Sequence, residues 1–184
     1  MDMSISQAQA DMRAGYLGGG TGILASALAW SAAAIVAATG APRNAIWVLL
    51  VGGMFIYPVG LLICKLAGGR GRHRTGNPLG QLAGASTFWL IFCLPLAYVL
   101  GLRDPAWFFA AMLLVIGGRY LVFATVYGMR LYWVLGLALA ATGCALVVLG
   151  APARWVAAAG AVVEAVFALV CLVQHRRSVA RAAP

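Results

Sequence analysis

Two residues stand where a lipid-facing chain has little use for them. Arg119 interrupts the apolar run "LLVIGGRYLVF" (113–123), and Glu164 interrupts "AGAVVEAVF" (159–167). A fixed cation and a carboxylate deep in apolar segments are the types that bind ions, relay protons or hold a charged solute in a membrane. Arg119 lies 13 residues into its segment, and Glu164 lies 10 residues past Arg154. Both segments run in the same direction, so at ~1.5 Å per residue the two charges lie within ~5 Å of one depth. No other charged side chain is as deep. A lone charge at the bilayer centre costs roughly 2.5–3.5 kcal/mol on insertion scales. The expectation is therefore an Arg119–Glu164 ion pair inside a helical bundle, serving either as a solute site or as a pin for helix register. Tyr57, Tyr120 and Trp89 fall near the same level. They are candidates to line the site, with ordinary core packing as the alternative. Tyr57, followed by Pro58, could donate a hydrogen bond to Glu164 or to a bound anion.

The segments that carry these residues follow from composition. Of 184 residues, 64% are hydrophobic and 9% are charged, far below the quarter charged that is typical of soluble domains. Apolar stretches long enough to cross a bilayer recur along the chain. Six spans are expected at about 17–39, 45–67, 82–102, 106–128, 131–150 and 154–174. The fold class is an all-α integral membrane protein of one membrane domain (1–184), with six transmembrane helices forming a bundle over 17–174. A short amphipathic segment (1–16) precedes the bundle, and a basic tail (175–184) follows it. In the first segment, Ser4 with Gln7 fits a capping box, and Ile5, Ala8, Met12 and Tyr16 form one stripe. That pattern suits a helix lying in the interface plane, with a frayed tail as the alternative. The start "MDMSISQAQADMRAG" lacks the basic opening and adjacent apolar core of a cleaved signal peptide.

The net charge is +9, and its distribution decides what it means. Nine basic residues (Arg13, Lys65, Arg70, Arg72, Arg74, Arg130, Arg176, Arg177, Arg181) fall on one side of the six spans, and three (Arg43, Arg103, Arg154) on the other. Such asymmetry orients a membrane protein with its basic side in the cytoplasm, which places both termini there. It points to anionic lipid as a partner and away from nucleic acid. Arg70, Arg72, Arg74 and Asn77, in or beside the second-to-third connection, are candidates for a lipid head-group site; Asn77 could equally cap the following helix. The small-residue stripe Gly18, Gly22, Ser26 offers a face for a homo-oligomer or another membrane protein.

The three far-side turns "APRNAIW", "RDPAW" and "APARW" share a proline, an arginine and a tryptophan. The second and fourth spans share "LLVGGMFIY" against "LLVIGGRYLVF". Three helical hairpins, distantly repeated, would produce this pattern. So would the general drift of short outer turns toward Pro, Arg and Trp.

Catalytic signatures are missing from the sequence. His73 and His175 both lie outside the spans, and H-E-x-x-H, G-x-S-x-G, paired carboxylates and C-x-x-C do not occur. Cys64, Cys93, Cys144 and Cys171 are lone residues in apolar segments and are expected to behave as small hydrophobes. No metal, cofactor or disulfide is expected. Passage of a small solute, ion or proton through the bundle is the leading function. A structural or regulatory subunit binding another membrane protein or lipid is the alternative, and a lipid-modifying enzyme has the least support.

The stretches "GGMFIYPVG", "GNPLGQLAGASTFW" and "WFFAAMLLVIGGRYLVFATVYGMRLYW" resemble a family of small bacterial membrane proteins known only as a domain of unknown function. The resemblance runs from residue 16 to about 135 and is most specific over 107–133. It implies a bacterial inner-membrane protein of six helices with no assigned activity. It carries no catalytic residue over to this chain.

Overall fold

The computed structural model describes residues 3–182, and these form helices and short connections. An N-terminal helix α1 (Ile5–Tyr16) leads through one 3-10 turn (Leu17–Gly19) into α2 (Gly20–Ala38). Then follow α3 (Pro42–Leu66), α4 (Pro78–Arg103), α5 (Pro105–Tyr127), α6 (Leu131–Val148) and α7 (Ala153–Ala182). Six helical segments are long and apolar enough to cross a membrane, the first of them running from α1 through α2. The chain is an all-α, multi-pass membrane protein. Large apolar side chains on the bundle exterior, among them Met54, Phe55, Phe88, Phe92 and Leu96, are exposed, as a lipid-facing surface requires.

Helix starts are chemically marked. Pro42, Pro78 and Pro105 open α3, α4 and α5, where a missing N–H removes no bond. Asn77 and Asp104 accept from the Leu79 and Ala106 amides at 3.0 and 2.8 Å. Ser4 and Gln7 form the reciprocal capping box of α1. The basic segment after residue 174 is helical as far as Ala182, continuous with α7.

Connectivity and packing do not coincide. The helices joined by the short far-end turns touch each other, α2 with α3, α4 with α5, and α6 with α7. The most extensive contacts, however, are α2 with α7 and α5 with α6. The bundle is thus held mainly by contacts between helices that no short far-end turn joins. Small residues permit these approaches: a Cβ on Gly60 would lie 3.2 Å from the Gly22 backbone, and one on Gly52 3.1 Å from the Ala29 side chain. The stripe expected to face a partner is therefore used inside the chain. Gly18 and Ser26 are buried, and Gly22 meets α3.

The buried face of α1 differs from the apolar stripe. Ala8, Asp11, Met12 and Gly15 are buried, while Ile5 is 71% exposed. The reason is polar. Asp11 reaches the connection between α3 and α4 and draws α1 onto it, as described next.

Candidate functional site

Three constellations use the residues singled out above. The first surrounds Glu164. Its side chain is completely buried on α7, and its carboxylate accepts a hydrogen bond from the Tyr120 hydroxyl of α5 at 3.0 Å. Ser26 of α2 lies beside it. Among the described residues, the second carboxyl oxygen, Oε2, has no hydrogen-bond partner of good geometry, and neither has the indole N–H of buried Trp30. Gly160, Ala168 and Cys171 continue the same buried stripe of α7. The glycine is needed where Trp30 crosses: a Cβ on Gly160 would lie 2.9 Å from its ring.

Arg119 does not pair with Glu164, which corrects the central expectation. Its Nη2 donates to Thr87 Oγ1 at 2.9 Å and its Nε to Ser86 Oγ at 3.4 Å, both on α4. The guanidinium lies over the Phe123 ring, 4.9 Å from its centre. Equal depth brought the two charges to one level, but helical rotation separated them. Successive residues on a helix point ~100° apart, so Tyr120 faces α7 while Arg119 faces α4. Tyr57 and Trp89 are also not at Glu164. They are 68% and 61% exposed, Tyr57 lying near the Tyr16 hydroxyl. The residue that sequence reasoning underused was Ser26, read only as a small side chain for helix contact.

The second constellation is an unwound, buried stretch of backbone. Leu17, Gly18 and Gly19 all have positive φ (51°, 67° and 86°), which frees the Gly18 carbonyl from helical bonding. Tyr132 donates to it at 2.7 Å and the Cys171 thiol at 3.2 Å. Gly19 cannot carry a side chain, because a Cβ would collide with Tyr132 and Tyr127. Tyr127 stacks on Tyr132 with ring centres 5.2 Å apart, and Tyr120 lies 5.9 Å from Tyr132. A ladder of tyrosine rings thus leads from the carboxyl of Glu164 to this broken turn.

The third is the cluster at the end of the bundle where α1 sits. Asp11 accepts from Arg70 Nη2 (2.8 Å), the Arg74 amide (2.8 Å) and Asn77 Nδ2 (3.0 Å). Asn77 also donates to the Ala8 carbonyl. Of the four residues expected to hold a lipid head group, Arg70 and Asn77 are thus engaged within the chain. Arg72 and Arg74 are exposed, although the Arg74 amide is tied to Asp11 and its guanidinium lies 4.0 Å from that carboxylate. Among the described residues, the ion pairs are those of Asp11 with Arg70 and Arg74.

Two cavities lie at opposite ends of the seam between α2 and α7. One, of about 530 Å³, is ringed by the three far-end turns and reaches Ala37 of α2 and Ala153 of α7. The other, of about 570 Å³, opens at the α1 end between Thr21 of α2 and Leu172 and His175 of α7. Glu164 and Ser26 lie on the stretch of seam between them. Among the described residues, no group of three or more His, Cys, Asp or Glu side chains is placed to hold a metal.

Residues 5–174 match DUF7010, a family of unknown function. No curated protein and no solved structure matches the chain.

Proposed function

The chain belongs to DUF7010, a family of unknown function, and on that footing we propose that it is a carrier for a small solute or ion whose passage is coupled to Glu164. One observation carries this reading: a wholly buried carboxyl with one oxygen unpartnered among the described residues, on a seam with an open cleft at each end. A structural carboxylate in a dry bundle is expected to have both oxygens satisfied, because an unpaired buried acceptor costs ~1–3 kcal/mol. The open valence of Oε2 suits an exchangeable proton or a small cation. The broken turn at Leu17–Gly19 supports the same reading. Irregular backbone at membrane depth is tolerated where it is enclosed by protein or lines a cavity, and carriers build coordinating sites from such breaks.

The test is flux in proteoliposomes enclosing a pH-sensitive dye, driven by an imposed potassium diffusion potential. The purified full chain should acidify or alkalinise the lumen faster than protein-free vesicles. Glu164→Gln should bring the rate down at least tenfold, to the protein-free level. Equal rates in the variant and the wild type would overturn the reading. Absence of flux in the wild type across common ions would favour the structural-subunit alternative.

The setting proposed is the bacterial inner membrane with both termini in the cytoplasm, from nine basic residues against three. A Thr75→Cys variant, in the exposed connection before α4, should react with an impermeant maleimide in inside-out vesicles. Labelling in intact cells would reverse the topology.

A further inference from the structure

We propose that the gap between α3 and α4 is a lateral binding site for an anionic glycerophospholipid, with its phosphate on Arg119. This stands apart from the carrier reading, because Arg119 does not touch Glu164.

The geometry of the gap comes from one stripe of α3. Ile46, Leu50, Gly53, Tyr57, Gly60 and Cys64 recur at helical spacing, on one face. Its two ends are closed. At the far end a Cβ on Gly101 of α4 would lie 3.0 Å from the Ile46 side chain, and Trp47 packs on Tyr98 with ring centres 5.5 Å apart. At the other end Cys64 is buried and donates to the Gly15 carbonyl of α1. Between them Gly53 and Tyr57 are exposed, and nothing lies within 4 Å of a Cβ built on Gly53. Helices α3 and α4 have very little contact with each other. The result is a window in the bundle wall; on its α4 side the half-buried Thr87 accepts the hydrogen bond from Arg119.

Charge complementarity selects the occupant. Of the five donors of a guanidinium, Arg119 commits two, to Ser86 and Thr87. Among the described residues no carboxylate pairs with it. The two hydroxyls and the Phe123 ring orient the fork, and Glu164 acts on the cation only through its field, without a bond to it. A lipid phosphate offers the planar, bidentate match that arginine is suited to. It also arrives with acyl chains that suit the apolar exterior of α3 and α4. Arg119 lies ~12 Å up from the Tyr127 end of α5 at 1.5 Å per residue, deeper than a resting head group. A polar track bridges that depth: His73 bonds the Tyr16 hydroxyl at 2.9 Å, and Tyr57 lies next to Tyr16. The phosphate enters along this track from the leaflet on the α1 side.

The experiment uses the full chain in neutral detergent, with thermal unfolding followed as phosphatidylglycerol, phosphatidylcholine or inorganic phosphate is added. Phosphatidylglycerol should raise Tm in a saturable way, and the other two should not. Arg119→Gln should lose most of that shift. So should Gly53→Leu, which fills the window without touching Arg119 and keeps the test decisive if Arg119→Gln fails to fold. The double variant Arg72→Gln/Arg74→Gln, in the exposed loop, should keep the shift. Full retention in Gly53→Leu, loss in the loop variant, or an equal shift from phosphatidylcholine would overturn the proposal. An equal shift from inorganic phosphate would mean a free-anion site, and would overturn it too.

Discussion

Replacing Asp11 by alanine should detach α1 from the bundle and cost about 2–4 kcal/mol of stability. The magnitude follows from what the carboxylate leaves behind. The buried Asn77 amide loses one of its two acceptors, the Arg74 N–H loses its only one, and Arg70 loses its ion pair. A stranded buried donor costs roughly 1–3 kcal/mol; the half-exposed Arg70 adds little, because its charge is screened. Gly15 packs so closely that a Cβ would lie 2.5 Å from the Arg72 carbonyl, so α1 and the loop must separate together. The measurement is thermal unfolding in detergent combined with limited proteolysis. Asp11→Ala should gain a cleavage site between Gly15 and Gly20 while α2–α7 remain protected. Wild-type proteolysis would refute the argument.

The elements were legible because their signals are local. Apolar length marked the spans, and Ser4, Asn77 and the prolines of the turns marked starts that need only two to four neighbouring residues, whereas the Asp104 cap emerged with the structure. What the sequence could not supply was rotation about each helix axis relative to its partners. Arg119 and Glu164 illustrate this. Depth is a count along one helix, and the Tyr120–Glu164 hydrogen bond shows α5 and α7 meeting beside this level. Pairing also needs each side chain to face the same neighbour, which depends on the contacts of α5 with α4, α6 and α7 together. Ser86 and Thr87 stand as two hydroxyl residues in an apolar helix, but nothing local said that their hydroxyls, and not a carboxylate, would receive the guanidinium. The stripe Gly18, Gly22, Ser26 fails for a related reason. A small-residue face invites close approach without saying whether the visitor is another helix of this chain or another molecule.

The paired glycines of α5 make that distinction measurable, because two adjacent residues should respond in opposite directions. A Cβ on Gly117 would lie 2.6 Å from the Gly136 carbonyl oxygen, and a Cβ on Gly136 would lie 2.6 Å from the Gly117 carbonyl oxygen. Here α5 and α6 touch backbone to backbone, with each Cα close enough to offer a C–H···O contact to the other's carbonyl. Neither carbonyl can step aside as a side-chain tip could, so Gly117→Ala or Gly136→Ala must push two long helices apart. Overpacking of this kind costs ~1–3 kcal/mol, and the separation also weakens van der Waals contact along the whole α5–α6 seam, a principal source of helix association in lipid. Gly118 is exposed, and nothing lies within 4 Å of its Cβ position. Gly118→Ala should be neutral or stabilising by up to ~1 kcal/mol, since alanine is the better helix former. The double variant Gly117→Ala/Gly136→Ala should cost less than the sum of the two singles, because the first methyl already opens the gap that the second needs. Thermal unfolding of the four variants in one detergent decides the matter. Equal responses at Gly117 and Gly118 would mean that α5 and α6 do not meet at this glycine.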